Sequence, residues 1–235
     1  MTPAGRLIFA LAAAAMPVVA AQASAATAKP AARIDWTRTF AVTPAGGFRM
    51  GNPKAKVSLI EYGSLTCPHC RHFAQTGVKP LLQNYVRSGK VSYEYRSLVL
   101  DGTDLTATLV ARCGGPQRFF PMAEKLYATQ PQWVGRSEKL SDDDRTALEA
   151  LPTGKMTVRL AQITGLFPVA AANGISPQRA QACLSNEAAA LKLAEMYKAA
   201  VDSGVAGTPT FFVNGKKVDA ADWTALEPFL KGAGG

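Results

Sequence analysis

The stretch Val57-Ser58-Leu59-Ile60-Glu61-Tyr62-Gly63-Ser64-Leu65-Thr66-Cys67-Pro68-His69-Cys70 changes its period partway along. Through Tyr62 it alternates as a strand does, with Val57, Leu59 and Glu61 on one face and Ser58, Ile60 and Tyr62 on the other. From Cys67 onward the spacing is helical, with Phe73, Leu81, Leu82, Tyr85 and Val86 on one apolar stripe. Gly77 and Pro80 predict a kink in that helix, and Gly89 predicts its end. The segment Val91 to Leu100 alternates again. A strand, a helix and a second strand in this order predict a right-handed parallel crossover.

Working outward, Thr39–Val42 and Phe48–Met50 predict two short strands around a turn at Pro44–Gly47. Thr103 to Ser203 reads as helical, in amphipathic pieces that include Leu105–Cys113, Phe119–Tyr127, Met156–Ile163 and Glu187–Val201. Ser176-Pro177 predicts a cap with proline in the first helical position. Thr210–Val213, Asn214-Gly215 and Lys216–Val218 predict a hairpin with a two-residue turn. Asp219 is the expected cap of a closing helix that carries Trp223, Leu226 and Leu230. The expected class is α/β, a mixed sheet flanked by helices. Residues 36–102 and 204–235 form its two parts, and residues 103–203 form a large helical insertion.

With 48% hydrophobic and 18% charged residues, the 235-residue chain has the composition of a folded protein. Its net charge of +9 is spread along the chain with no basic run, and no stacking motif accompanies it. No nucleic-acid partner is expected. Arg6, the apolar run Leu7 to Val19 and Ala23-Ser24-Ala25 have the order of a secretory signal peptide, residues 1–25, cut after Ala25. The run is too short for a bilayer of ~30 Å. Residues 26–35 are an Ala-rich tether. The expectation is therefore a soluble, exported protein.

Export would place Cys67, Cys70, Cys113 and Cys183 in an oxidising compartment. Of the three possible pairings, Cys67 with Cys70 and Cys113 with Cys183 is favoured, the first pair for chemistry and the second as a structural disulfide. The alternative for Cys113 and Cys183 is two separate buried thiols. A Cys113–Cys183 bond would close a loop of about 70 residues, worth roughly 4.4 kcal/mol in the chain-entropy account.

Two cysteines at i and i+3 on the first turn of a helix suit thiol–disulfide exchange. The first sits where unpaired backbone N–H groups favour an anion, and the second is close enough to resolve a mixed disulfide. Pro68 suits the first helical position, and His69 can add a donor or a positive charge toward Cys67. Such settings lower a thiol from ~8.5 to ~3.5–7.5. A midpoint near ~4.5 would stabilise the reduced form by roughly 3.4 kcal/mol at pH 7. That makes the disulfide about 70 mV more oxidising, so an oxidase is expected over a reductase. Zinc would need four ligands, and c-type haem a histidine where Arg71 stands. No metal or other cofactor is expected. His72 is read as a surface residue, and Phe73 and Tyr62 as core.

Cys67-Pro68-His69-Cys70 after a strand ending in Glu61-Tyr62, joined to Gly207-Thr208-Pro209-Thr210-Phe211 far downstream, resembles the DsbA family of periplasmic oxidoreductases. The likeness covers residues 36 to 232 in motif and element order. That family's namesake marks the acidic extreme of the thiol range above. The resemblance implies a thioredoxin-like fold and donation of the Cys67–Cys70 disulfide to unfolded, cysteine-containing exported proteins. It also implies reoxidation by a quinone-linked, DsbB-like membrane partner. Pro209 would be cis against the active site, Thr208 would pair with substrate through its backbone, and Glu61 would be a buried acid relaying a proton. A monomer in the periplasm is expected. The alternatives are an isomerase or reductase of the same fold, and a chaperone or binding module whose cysteines are incidental.

Overall fold

The computed structural model describes Met1, Gly5 and Ile34–Gly235. The chain divides into two units, Met1–Ala32 and Arg33–Gly235. The expected signal peptide and most of the tether lie outside the described residues.

In the second unit, β1 (Phe40–Val42), β2 (Phe48–Met50) and β3 (Val57–Gly63) lead into α1 (Pro68–Thr76) and α2 (Val78–Leu81). A π-helical turn, Leu82–Val86, precedes β4 (Val91–Ser97). Eight helices then run from Gly102 to Asp202. They are α3 (Gly102–Arg112), α4 (Pro116–Ala128), α5 (Gln130–Glu138), α6 (Asp142–Glu149), α7 (Thr153–Thr164), α8 (Leu166–Ala172), α9 (Pro177–Leu184) and α10 (Glu187–Asp202). The hairpin β5 (Thr210–Val213) and β6 (Lys216–Val218) and the helix α11 (Trp223–Gly232) close the chain. The sheet is mixed, in the order β1-β2-β4-β3-β5-β6, with β3 and β4 parallel and every other pair antiparallel.

The local chemistry explains most boundaries. Val57, Leu59 and Glu61 form one buried face of β3, as their alternation predicts. Gly77 stands between α1 and α2, at a position where a Cβ would meet the Phe73 ring at 2.5 Å. Asn214 (φ 48°) and Gly215 (φ 78°) both take the left-handed conformation that a tight hairpin turn demands. Ser176 caps α9 by accepting from the Arg179 N–H at 3.3 Å.

Two expectations are corrected. β4 ends at Ser97 rather than Leu100, because its partner β3 ends opposite it at Gly63. Beyond that point the Leu98 N–H goes to the Gly63 carbonyl and the Leu100 N–H to the Asp104 carboxylate. The cap of α11 is Asp222, which accepts from the Ala225 N–H at 2.9 Å, and not Asp219. The Ala220 N–H turns back to the Val218 carbonyl, so the chain after Asp219 is still leaving the hairpin.

Two main apolar clusters result. One lies under the sheet face that bears Val57, Leu59, Tyr93 and Phe211, with Phe73 edge-on to Phe211 at 4.7 Å. The other fills the helical insertion and reaches out to Leu65, Cys67 and Cys70. Within the insertion Cys113, at the end of α3, is bonded to Cys183 of α9 across a sequence separation of 70. Replacing both with serine is expected to cost about 4 kcal/mol of stability, read from denaturant unfolding of the double variant beside the parent.

Candidate active site

Register brings the two distant motifs together. β5 runs antiparallel to β3 with Thr210 opposite Tyr62, so the residues before Thr210 lie beside those that follow Tyr62. The Thr208–Pro209 bond is cis, as the resemblance implies, and the Thr208 carbonyl accepts from the Cys67 thiol at 3.3 Å.

Cys67 is the cap residue of α1, and Pro68 stands in the first turn. The Cys70 N–H donates to the Cys67 sulfur at 3.5 Å. Both cysteines are thiols, but their surroundings differ. Cys67 keeps 7% of its surface exposed beside the exposed Pro68 and His69, whereas Cys70 keeps none. Only the first can meet another protein's sulfur without a rearrangement.

The two thiols also titrate in opposite directions. The Cys70 thiol is the largest influence that lowers Cys67, to about 5. Burial opposes it, while the Thr208 hydroxyl and the backbone N–H groups of Cys70 and His69 add to it. These are donors aimed at an anion at a helix start. Burial pushes Cys70 far above the ordinary thiol range, and its hydrogen bond to Cys67 adds to this. His69 therefore acts on the sulfur through its backbone N–H. Among the described residues its imidazole makes no hydrogen bond to Cys67.

Glu61, on β3 below the motif, is 1% exposed and accepts a hydrogen bond from the Tyr93 hydroxyl. Burial raises its carboxyl to about 8 against the Tyr93 bond, and the charge of Cys67 raises it further. At neutral pH it is mostly a neutral acid that can give up a proton. Three residues to which the sequence assigned no site role also reach this region from the insertion: Asp104, Tyr127 and Gln130. Asp104 carried one available sign, standing three residues after Asp101 at a helix start. The sequence held no sign that Gln130 would be buried. Among the described residues no group of three or more His, Cys, Asp and Glu is placed to hold a metal ion.

A family model described as Thioredoxin matches residues 43–232. The chain therefore belongs to the thioredoxin family, with a helical insertion between β4 and β5 of the sheet. It is 33% identical to a protein-disulfide isomerase from Novosphingobium aromaticivorans, with a TM-score of 0.75 over 80% of this chain and 97% of that one. Alpha-DsbA1 from Wolbachia pipientis, 22% identical, shares the fold with a TM-score of 0.61 over 81% of this chain and 92% of that one. A curated Rickettsia conorii relative, named "Putative protein-disulfide oxidoreductase", is 29% identical over 71% of this chain and 52% of its own length. The chain thus spans about half the length of the curated relatives it matches.

The buried acid has a measurable consequence. Between pH 4.5 and about 8 the folded protein keeps the Glu61 proton that the unfolded chain has released. The unfolded state then binds fewer protons, so this group's contribution to stability falls as pH rises through that window, by about 1.4 kcal/mol per unit. Glu61→Gln is expected to be the more stable protein by about 3 kcal/mol at pH 7 and equal to the parent at pH 4. Unfolding of both reduced proteins across pH checks this, because the opposite trend from Cys67 is common to the two and cancels.

Proposed function

We propose that this chain is an exported thiol–disulfide oxidoreductase that works in the periplasm as an oxidase, with Cys67 as its attacking and attacked sulfur. One observation carries the reading. The Cys67 sulfur is held at a helix start with its pKa lowered to about 5 by the Cys70 thiol, the Thr208 hydroxyl and the backbone N–H groups of Cys70 and His69. A thiolate stabilised in this way makes its disulfide easy to give away.

In the oxidised enzyme a substrate thiolate attacks the Cys67 sulfur. The bond to Cys70 breaks, and Cys70 leaves with the electron pair. A buried thiolate there is strongly disfavoured, and Glu61, still protonated near neutral pH, is the group proposed to supply its proton. A second substrate thiolate then attacks the substrate's own sulfur in the mixed disulfide. Cys67 is released as the favoured thiolate, and the substrate carries the new bond. The substrate segment lies along Thr208, pairing with its backbone. The proposed substrates are unfolded exported proteins with cysteines, the reoxidant is a quinone-linked, DsbB-like membrane protein, and the enzyme acts as a monomer.

A second reading, disulfide isomerase, is favoured by the name of the Novosphingobium aromaticivorans relative. The two readings separate in a paired assay on one substrate supplied reduced or with scrambled bonds. The oxidase should act on the reduced form far faster than on the scrambled one.

Thiolate absorbance of the reduced protein is expected to titrate with a midpoint near 5. A midpoint near ~8.5, that of a free thiol, would remove the basis for the oxidase. Cys67→Ser should reduce exchange to the uncatalysed rate. Cys70→Ala should accumulate a mixed disulfide with substrate, visible by mass spectrometry.

A further inference from the structure

Leu65, two residues before the proposed nucleophile, is gripped by the insertion through its backbone and its side chain. Its N–H donates to Asp104 Oδ1 at 2.9 Å, and its carbonyl accepts from Gln130 Nε2 at 2.8 Å. Its side chain, 1% exposed, packs in the insertion's apolar cluster. The residues on either side are held as well. The Ser64 carbonyl accepts from the Tyr127 hydroxyl at 3.0 Å, and Gln130 Nε2 also donates to the Cys67 carbonyl at 3.0 Å. Asp104 Oδ2 takes the Leu100 N–H at 3.0 Å, which ties the segment after β4 to the same carboxyl group.

These three side chains come from three helices, α3, α4 and α5. A strand-to-helix loop ordinarily lies in water, which satisfies its backbone. Here Gly63, Ser64 and Leu65 are buried, so their polar groups need partners from the protein. Gln130 is particularly informative. The Cys67 carbonyl already accepts the first hydrogen bond of α1, from the Arg71 N–H at 3.1 Å. A second donor on the same carbonyl fixes the plane of the peptide that follows Cys67. That plane sets the direction of the helix start and hence where the Cys67 sulfur meets the Cys70 N–H.

We infer that Asp104, Tyr127 and Gln130 are positioning residues for the Cys67 sulfur, so that the helical insertion sets how firmly the thiolate is held. The inference rests on the reading of Cys67 as the attacking sulfur. A purely structural seal between insertion and sheet would lower the melting temperature of variants and leave the thiolate midpoint where it was. Positioning moves the midpoint itself.

The test is thiolate absorbance against pH in the reduced full chain, with the melting temperature of each variant measured beside it. Gln130→Met keeps the side-chain volume and removes both donated bonds. Its midpoint should rise by about one pH unit, a tenfold loss of thiolate preference. Its equilibrium with glutathione should move toward the disulfide to match. Tyr127→Phe, which keeps the ring and loses only the hydroxyl, should shift in the same direction by less. Folded Gln130→Met with the parent's midpoint overturns the inference. If that variant fails to fold, Tyr127→Phe decides: an upward shift supports positioning, and an unmoved midpoint overturns it. A parent midpoint near ~8.5 would instead overturn the reading of Cys67, so the two failures are distinct.

Discussion

The structure depends on one electrostatic arrangement, a sulfur at the open end of a helix with donors converging on it from several directions. An isolated thiol has little reason to ionise at neutral pH. At the cap of α1 the Cys67 sulfur faces backbone N–H groups that have no partner further up the helix, together with the Cys70 thiol and the Thr208 hydroxyl. Each favours the anion. The fold supplies these donors from distant parts of the chain. β3 delivers the loop, α1 supplies the N–H groups, and the antiparallel β5 returns Thr208 to the sulfur's side across 141 residues of sequence.

The same burial that would be costly for one charge is used to keep three acidic groups apart in their titration. Cys70, three residues from Cys67, is sealed in the insertion's apolar cluster and stays a neutral thiol. Glu61 lies beneath the motif and keeps its proton near neutral pH because burial disfavours its charge. Only the Cys67 sulfur, which keeps some exposure and has the converging donors, is easily ionised. One negative charge near the helix start also discourages a second, which is why the Cys67 charge itself raises Glu61. The Cys70 thiol and the Glu61 carboxyl are thus kept neutral on the inner side, and the more accessible Cys67 sulfur takes the charge. In the proposed reaction this difference gives the exchange its direction.

Much of this was legible in the chain because it is local. The period change at Cys67, the Asn214-Gly215 turn and the Ser176-Pro177 cap each depend on a few neighbouring residues, and each took the expected form. The Thr208-Pro209 pair could be placed only through family resemblance, since nothing nearby marks a cis bond. Long-range choices were not legible. Asp219 and Asp222 are both good caps, and the path of the chain leaving the hairpin selects between them. α5, α6 and α8 are short, and although Ser141 and Asp144 form a reciprocal cap on α6, the apolar spacing across them is weak. Gln130 is polar in a sequence of polar neighbours. Its burial follows from where three helices meet, which no window of sequence contains.

The insertion therefore does more than cover one face of the sheet, and α3 shows how. At its first turn Asp101 caps the helix and Asp104 grips the loop that carries Cys67 and the segment that follows β4. At its far end Cys113 is bonded to Cys183, and the Arg179 guanidinium donates to the Cys113 carbonyl at 3.1 Å. Eleven residues at ~1.5 Å per residue make α3 a strut of about 16 Å, fastened at one end to the loop before Cys67 and at the other to the body of the insertion. A helix free at its far end would leave Asp104 on a lever. Pinned at both ends, it holds a carboxylate in fixed register with two backbone N–H groups, and a loop with little room to relax can keep the sulfur over its donors.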